Sequence, residues 1–190
     1  AVDELPLKAQ KPMGKTKSLF PALTAAFAGS LLILFATRWG IGVSPDSVFY
    51  LGSANNLSSG LGLTIPFGDP VNAPLIHHAP FYPALLALLS FVTKDVDLSA
   101  RMLNGLIFAV LILLVGIFIY RRQAQNPLPA FFAAVLILVS PLMIELHLMA
   151  WSEPLFLALT FAGVSVIYSL WIVMIAFTFW FIKFDNNVTI

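Results

Sequence analysis

"FYPALLALLSFVT", residues 81–93, runs for thirteen residues without a charge, and its length decides how the chain is threaded. A hydrocarbon core about 30 Å thick takes roughly 20 helical residues to cross, at about 1.5 Å per residue. Thirteen residues reach only about 20 Å. With Pro83 near its start, the run reads as an interfacial or re-entrant helix rather than as a span.

The apolar runs on either side pass the same test. Leu19 to Thr37 comes first; its "AFA" at Ala26 to Ala28 looks like a signal-cleavage site, but the run continues through "LLILFAT" and reads as a retained anchor. Met102 to Tyr120 is a second span, expected to be opened by Asp97 as N-cap, with Arg101 one turn on to pair with it, and to stop at Arg121 and Arg122. Leu128 to Ile144 is a third, with a kink expected at Pro141. Leu155 to Ile182 is the fourth and longest; it exceeds the core thickness, so it tilts or its end leaves the core. The expected fold is therefore all-α and polytopic. It has about four transmembrane helices and an external loop, residues 38–97, bearing one or two interfacial helices. Residues 1–18 form a basic cytoplasmic segment, 19–182 the membrane region and 183–190 a tail.

Charge sets the expected orientation. With four spans and a cytoplasmic N-terminus, Lys8, Lys11, Lys15, Lys17, Arg121, Arg122 and Lys183 fall inside, against Arg38, Lys94 and Arg101 outside. Seven to three obeys the positive-inside rule. Making the thirteen-residue run a fifth span weakens the bias to six against four.

Composition agrees with a bilayer partner. Apolar residues make up 59% of the 190 and charged residues 10%, far from the balance of a soluble domain. A net charge of +1 gives no nucleic-acid footprint. Zero cysteines exclude disulfides, thiolate metal sites and a cysteine nucleophile. The sequence holds no phosphate-binding glycine loop, H-E-x-x-H, G-x-S-x-G or dinucleotide fingerprint. "GLGLTIPFG" reads as a flexible glycine-bearing loop, because no strand precedes it.

Four spans place Asp46, His77, His78 and Glu153 at one membrane surface, with Glu145 and His147 near it. Acids beside membrane segments are costly, so their gathering points to a site. Each also has a structural reading. Ser44, Pro45 and Asp46 fit the N-cap and first turn of a short helix ending near Gly60, where an acid gains from the helix dipole. Tyr50 shares a face with Asp46 and equally fits an interfacial anchor. Adjacent His77 and His78 point too far apart to make a two-His metal site. Ser152 or Glu153 fits the start of the next helix, ahead of Pro154.

Several segments, in order, carry a resemblance: the anchor, the acid-bearing loop "SPDSVFYLGSANNLSSGLGLT", the "HHAPFYPALLAL" segment, a helix opening "LSARMLNGL" and closing "YRR", and the acid-Pro pair in "MAWSEPLFLALTF". Over roughly residues 15 to 165 the chain resembles the N-terminal part of GT-C membrane glycosyltransferases. It is most similar to the protein mannosyltransferases, aminoarabinose transferases and related lipopolysaccharide sugar transferases that use polyprenyl-phosphate sugars. The resemblance implies Asp46 as the acceptor-side carboxylate, serving as base or as metal or acceptor ligand, and Glu153 as a second acid on the same cavity. His77 and His78 stand where relatives often have an acidic-basic pair whose basic member touches the lipid-linked phosphate, and Tyr50 is counted with them as a substrate-binding residue. The implied partners are the bilayer and a polyprenyl-phosphate-linked sugar; a divalent metal is the one cofactor the resemblance allows. Relatives carry further spans enclosing the donor site, so this chain is expected to be part of such a transferase and inactive alone. The alternative is a non-catalytic membrane subunit whose aromatic-rich helices dock against other membrane subunits. A channel fits less well, since the spans hold almost no internal charge.

Overall fold

The computed structural model describes residues 15–68, 73–123 and 125–188, and among these described residues the chain forms seven helices. In order they are α1 (Lys15–Ala36), α2 (Pro45–Ser58), α3 (Phe81–Thr93), α4 (Val96–Arg122), α5 (Pro127–Val139), α6 (Pro141–Leu148) and α7 (Glu153–Val188). Among the described residues there is no sheet, only two isolated bridges, Gly42 with Met149 and Thr64 with Pro74. Most of the expected basic N-terminal segment, residues 1–14, lies outside the described residues.

Among the described residues three helices, α1, α4 and α7, are long and apolar enough to cross a bilayer, and α5 with α6, bent by 55° at their junction, has the length and composition of a fourth when the pair is taken as one broken span. The protein is an all-α, multi-pass integral membrane protein. The bend has a local cause. Pro141 cannot donate to the preceding turn, and Ser140 leaves the helical conformation to cap α6, its hydroxyl accepting from Met143 N at 3.5 Å.

The thirteen-residue run is one short helix, α3, whose Tyr82, Pro83, Leu86, Ala87 and Ser90 are buried while Phe81, Leu88, Phe91 and Val92 are exposed. It stops where Lys94 turns left-handed, at φ 62°, with its N–H closing on Ser90 O. The buried face packs against α2 and the start of α4 in one apolar cluster that includes Tyr50, Ala54, Ala100, Leu103 and Ile107.

Small side chains bring α1, α4 and α5 together. A Cβ on Gly116 of α4 would stand 2.9 Å from the Ala22 Cβ of α1, and one on Gly29 of α1 would press on Phe108 and Ile112 of α4. Lipid tails solvate leucine as well as a neighbouring helix does, so close backbone approach, through dispersion, is what holds such helices in contact. The matching positions show that α1 and α4 run antiparallel. The C-terminal end of α1 and the start of α4 therefore lie at the end of the bundle that carries α2 and α3.

Two expectations are corrected at that end. Asp95, not Asp97, caps α4: its carboxylate accepts from Asp97 N at 2.8 Å and Leu98 N at 3.4 Å, and the helix starts at Val96, a turn and a half before the uncharged run. Asp97 instead accepts from Ile41 N at 3.2 Å, fastening the α1–α2 connection, and Arg101 donates to the Thr37 hydroxyl at 3.5 Å rather than pairing with Asp97. Nor does the glycine-bearing loop hang free. Asn56 of α2 donates to the Thr64 hydroxyl at 3.0 Å and to Ile65 O at 3.3 Å, and Pro66 lies so close to Gly52 that a Cβ there would run into its ring.

Candidate functional site

The site is built by joining two connections far apart in sequence. Gly42 N donates to Leu148 O at 2.7 Å, and Ala150 N donates to Gly42 O at 3.1 Å, so residues 42 and 149 pair in parallel. Only glycine fits at 42: a Cβ would lie 2.5 Å from the Met149 sulfur and 2.7 Å from Leu148 O. Side chains extend the joint. Trp151 Nε1 donates to the Ser44 hydroxyl at 2.6 Å, and the Tyr50 and Ser152 hydroxyls are 3.0 Å apart. The N-terminal ends of α2 and α7 are thereby held side by side, with Asp46 in the first turn of one and Glu153 in the first turn of the other. Ser44 is the N-cap of α2 and accepts from Ser47 N at 3.3 Å.

Beneath the joint lies a buried polar core. Asn104 interrupts the apolar face of α4 and is fully buried. Its amide donates to Met149 O at 2.7 Å and His147 O at 3.1 Å, and its carbonyl oxygen accepts from the Tyr82 hydroxyl at 3.3 Å. One side chain thus ties the α6–α7 connection to α4 and α3. Burial, with smaller contributions from Tyr50 and then Glu153, pushes the Tyr82 hydroxyl well above the ordinary range of a phenol. Tyr82 therefore stays a neutral donor, and Glu153 stands near enough for its charge to be felt there.

Asp46 meets one of the two histidines. His78 Nε2 is 3.4 Å from Asp46 Oδ1, with the histidine largely buried and the carboxylate 61% exposed. The imidazole is stacked on Phe49 at 4.5 Å between centroids and set edge-on to Tyr50 at 5.4 Å; Tyr50 is in turn edge-on to Tyr82 at 5.4 Å. His78 is thus locked in orientation by two aromatic rings, Phe49 and Tyr50, with Tyr82 backing Tyr50, while the acid it faces looks to solvent. His77 is exposed and, among the described residues, makes no hydrogen bond or ring contact. Glu145 is exposed, and His147 is buried against Phe108 with its Nδ1 on Met143 O, well under the surface that carries Asp46.

The arrangement brings together Asp46, His78 and Tyr50, sets Glu153 on the adjoining rim and leaves His77 outside the packed part. Ser44, expected from sequence as the N-cap, and Ser152, expected as a helix start, also hold the geometry across the joint, together with Trp151, Phe49, Tyr82 and Asn104, which were not singled out from sequence. Asn104 was the one with a signal, a lone amide inside an apolar run. Asp46 and His78 supply two donors, short of what a protein metal site needs. Among the described residues no group of three or more His, Asp or Glu side chains is placed to hold a metal ion. What the rim does offer is a solvent-facing carboxylate with a fixed imidazole behind it, a second carboxylate and a free imidazole, beside two helix N-termini that favour negative charge. Comparison with protein-family models, with curated proteins and with solved structures finds no match to this chain.

Proposed function

We propose that the chain forms the acceptor side of a GT-C-type membrane glycosyltransferase. Such an enzyme transfers a sugar from a polyprenyl-phosphate carrier to an acceptor hydroxyl at the outer face of the membrane, with the N-terminus in the cytoplasm. The observation that supports this reading best is the main-chain pairing of Gly42 with residues 148–150, which sets Asp46 and Glu153 on one rim although 107 positions separate them.

In the proposed step the acceptor oxygen forms a bond to the anomeric carbon. The bond from that carbon to the phosphate oxygen breaks, and its electron pair leaves with the polyprenyl phosphate. The acceptor proton passes to Asp46, whose carboxylate His78 steadies from behind. Glu153 orients the acceptor from the other rim, and the exposed His77 meets the departing phosphate. Tyr50, bonded to Ser152, is a positioning residue. The polyprenyl tail remains in lipid, and the exposed apolar face of α3 gives it a surface to approach along.

The test uses membranes carrying the full-length gene product and a set of polyprenyl-phosphate-linked sugars, with transfer of labelled sugar as the readout. Asp46→Asn is expected to lower turnover by at least about 100-fold, the scale of a lost general base. His77→Ala is expected to raise the KM for the carrier and leave turnover nearer wild type. Unchanged transfer by Asp46→Asn overturns the role, as does cysteine labelling that finds positions 46 and 153 reachable only from opposite sides of the membrane.

One observation favours a second reading, a non-catalytic membrane subunit. From Val164 to Phe177 the large apolar side chains of α7 are exposed, and α7 packs chiefly along α4. Recovery of the chain only with other membrane polypeptides, together with an Asp46→Asn variant of the intact complex that behaves as wild type, would select it.

A further inference from the structure

At the other end of the bundle, about 36 Å along α4 from Asp97 to Arg121, α4 and α7 splay to leave a groove of about 720 Å³. Its walls are mostly apolar, with Phe118 of α4 and Ala162, Tyr168 and Ile172 of α7 among them, and Arg121 and Arg122 line it from the C-terminal end of α4. The groove extends over about 16 Å of α7, from Ala162 to Val173.

The arginines give the groove its chemistry. Arg122 is held in place, its guanidinium 3.5 Å from the centroid of the Tyr168 ring and 5.3 Å from that of Phe118. That contact fixes the cation without supplying an anion, because an aromatic face takes none of its N–H bonds. Neither arginine pairs with an acid among the described residues. Arg121 and Arg122 also end an uncharged helical run, which sets them where a bilayer changes from hydrocarbon to head group. Two cations at head-group depth over an apolar channel match one kind of molecule in both parts.

The geometry points to a binding site for an anionic phospholipid, its phosphate on Arg121 and Arg122 and one acyl chain seated between α4 and α7. The guanidinium fork of Arg122, steadied by Tyr168, presents paired donors suited to phosphate oxygens, and the acyl chain covers apolar side chains that the fold leaves open. This site is independent of the Asp46 rim and of the reaction proposed there.

The experiment is native mass spectrometry of the full chain released from nanodiscs of phosphatidylglycerol mixed with phosphatidylcholine, backed by photo-crosslinking with a phosphatidylglycerol that carries a diazirine in its acyl chain. The wild-type chain is expected to retain one phosphatidylglycerol in preference to phosphatidylcholine and to crosslink within residues 114–122 and 162–173. Each arginine contributes a roughly fivefold preference near an anionic surface, so Arg121→Ala with Arg122→Ala is expected to weaken retention about 30-fold. Ala162→Phe, which fills the groove and keeps both charges, is expected to abolish the crosslinks there. Crosslinks elsewhere in the wild-type chain overturn the site without any variant. So do wild-type retention by the double arginine variant, displacement of the lipid by glycerol phosphate at equal concentration, or a protein partner found on these residues in the intact complex.

Discussion

Replacing Asn104 with leucine is expected to loosen the whole joint between α3, α4 and the α6–α7 connection. Leucine matches asparagine in shape, so the loss is one of hydrogen bonds and not of volume. Three bonds disappear: the amide's two to Met149 O and His147 O, at 2.7 and 3.1 Å, and the one accepted from Tyr82 at 3.3 Å. Each is worth about 1 kcal/mol net, and partners left buried without a substitute bring the total to about 3–5 kcal/mol. For a chain of this size each kcal/mol moves the melting point by roughly 2–4 °C. The detergent-solubilised variant should therefore melt roughly 10 °C below wild type when unfolding is followed by tryptophan fluorescence. Tyr82→Phe removes only the longest bond and should cost about 1 kcal/mol. Because that bond is shared, the double variant should melt close to Asn104→Leu alone, a coupling that a double-mutant cycle reads directly. An Asn104→Leu protein that melts within a degree or so of wild type, or a fully additive double variant, would refute the account of Asn104 as the anchor of this joint.

Gly42→Ala should force the 42–149 pairing apart, since the Leu148 carbonyl cannot yield as the Met149 side chain can; a cost of about 1–3 kcal/mol is expected, and spin labels at 46 and 153 should show a broader distance distribution than in the parent. Gly116→Val should push α1 from α4, because even a Cβ meets Ala22 at 2.9 Å; about 1–3 kcal/mol should again be lost, seen as faster proteolysis of the solubilised chain. In an alkaline titration followed by phenolate absorbance Tyr82 should ionise well above the ordinary phenol range, and Tyr82→Phe should delete that step. The sign follows from linkage: the folded chain binds this proton more tightly than the unfolded one, so Tyr82's contribution is whole below the ordinary phenol value of 10.0 and is lost as pH rises beyond it.

The short helices were legible because local rules settle them. Ser44 followed by Pro45 is a helix start with a mechanism, thirteen residues at 81–93 are too few for a span, and Pro141 must break whatever passes through it. The α4 cap was misread for an equally local reason: Asp95 and Asp97 stand two apart, either can open a helix, and only the distant Ile41 N–H, which takes Asp97, decides between them. Which histidine faces Asp46 was likewise undecided by spacing. Phe49, Tyr50 and the α2–α3 packing choose His78, and none of that is written between residues 77 and 78. The pairing of Trp151 with Ser44 crosses 107 positions without a motif, so no periodicity could announce it.

The joint at Gly42 relies mostly on amide groups that every residue carries. Val43, whose side chain is exposed, can therefore exchange for other residues with little effect on where the two carboxylates sit, so long as position 42 keeps its bare α-carbon. Geometry stored this way is inherited with little lettering: descendants of this chain can diverge widely in spelling here and still hold the same rim in the same shape.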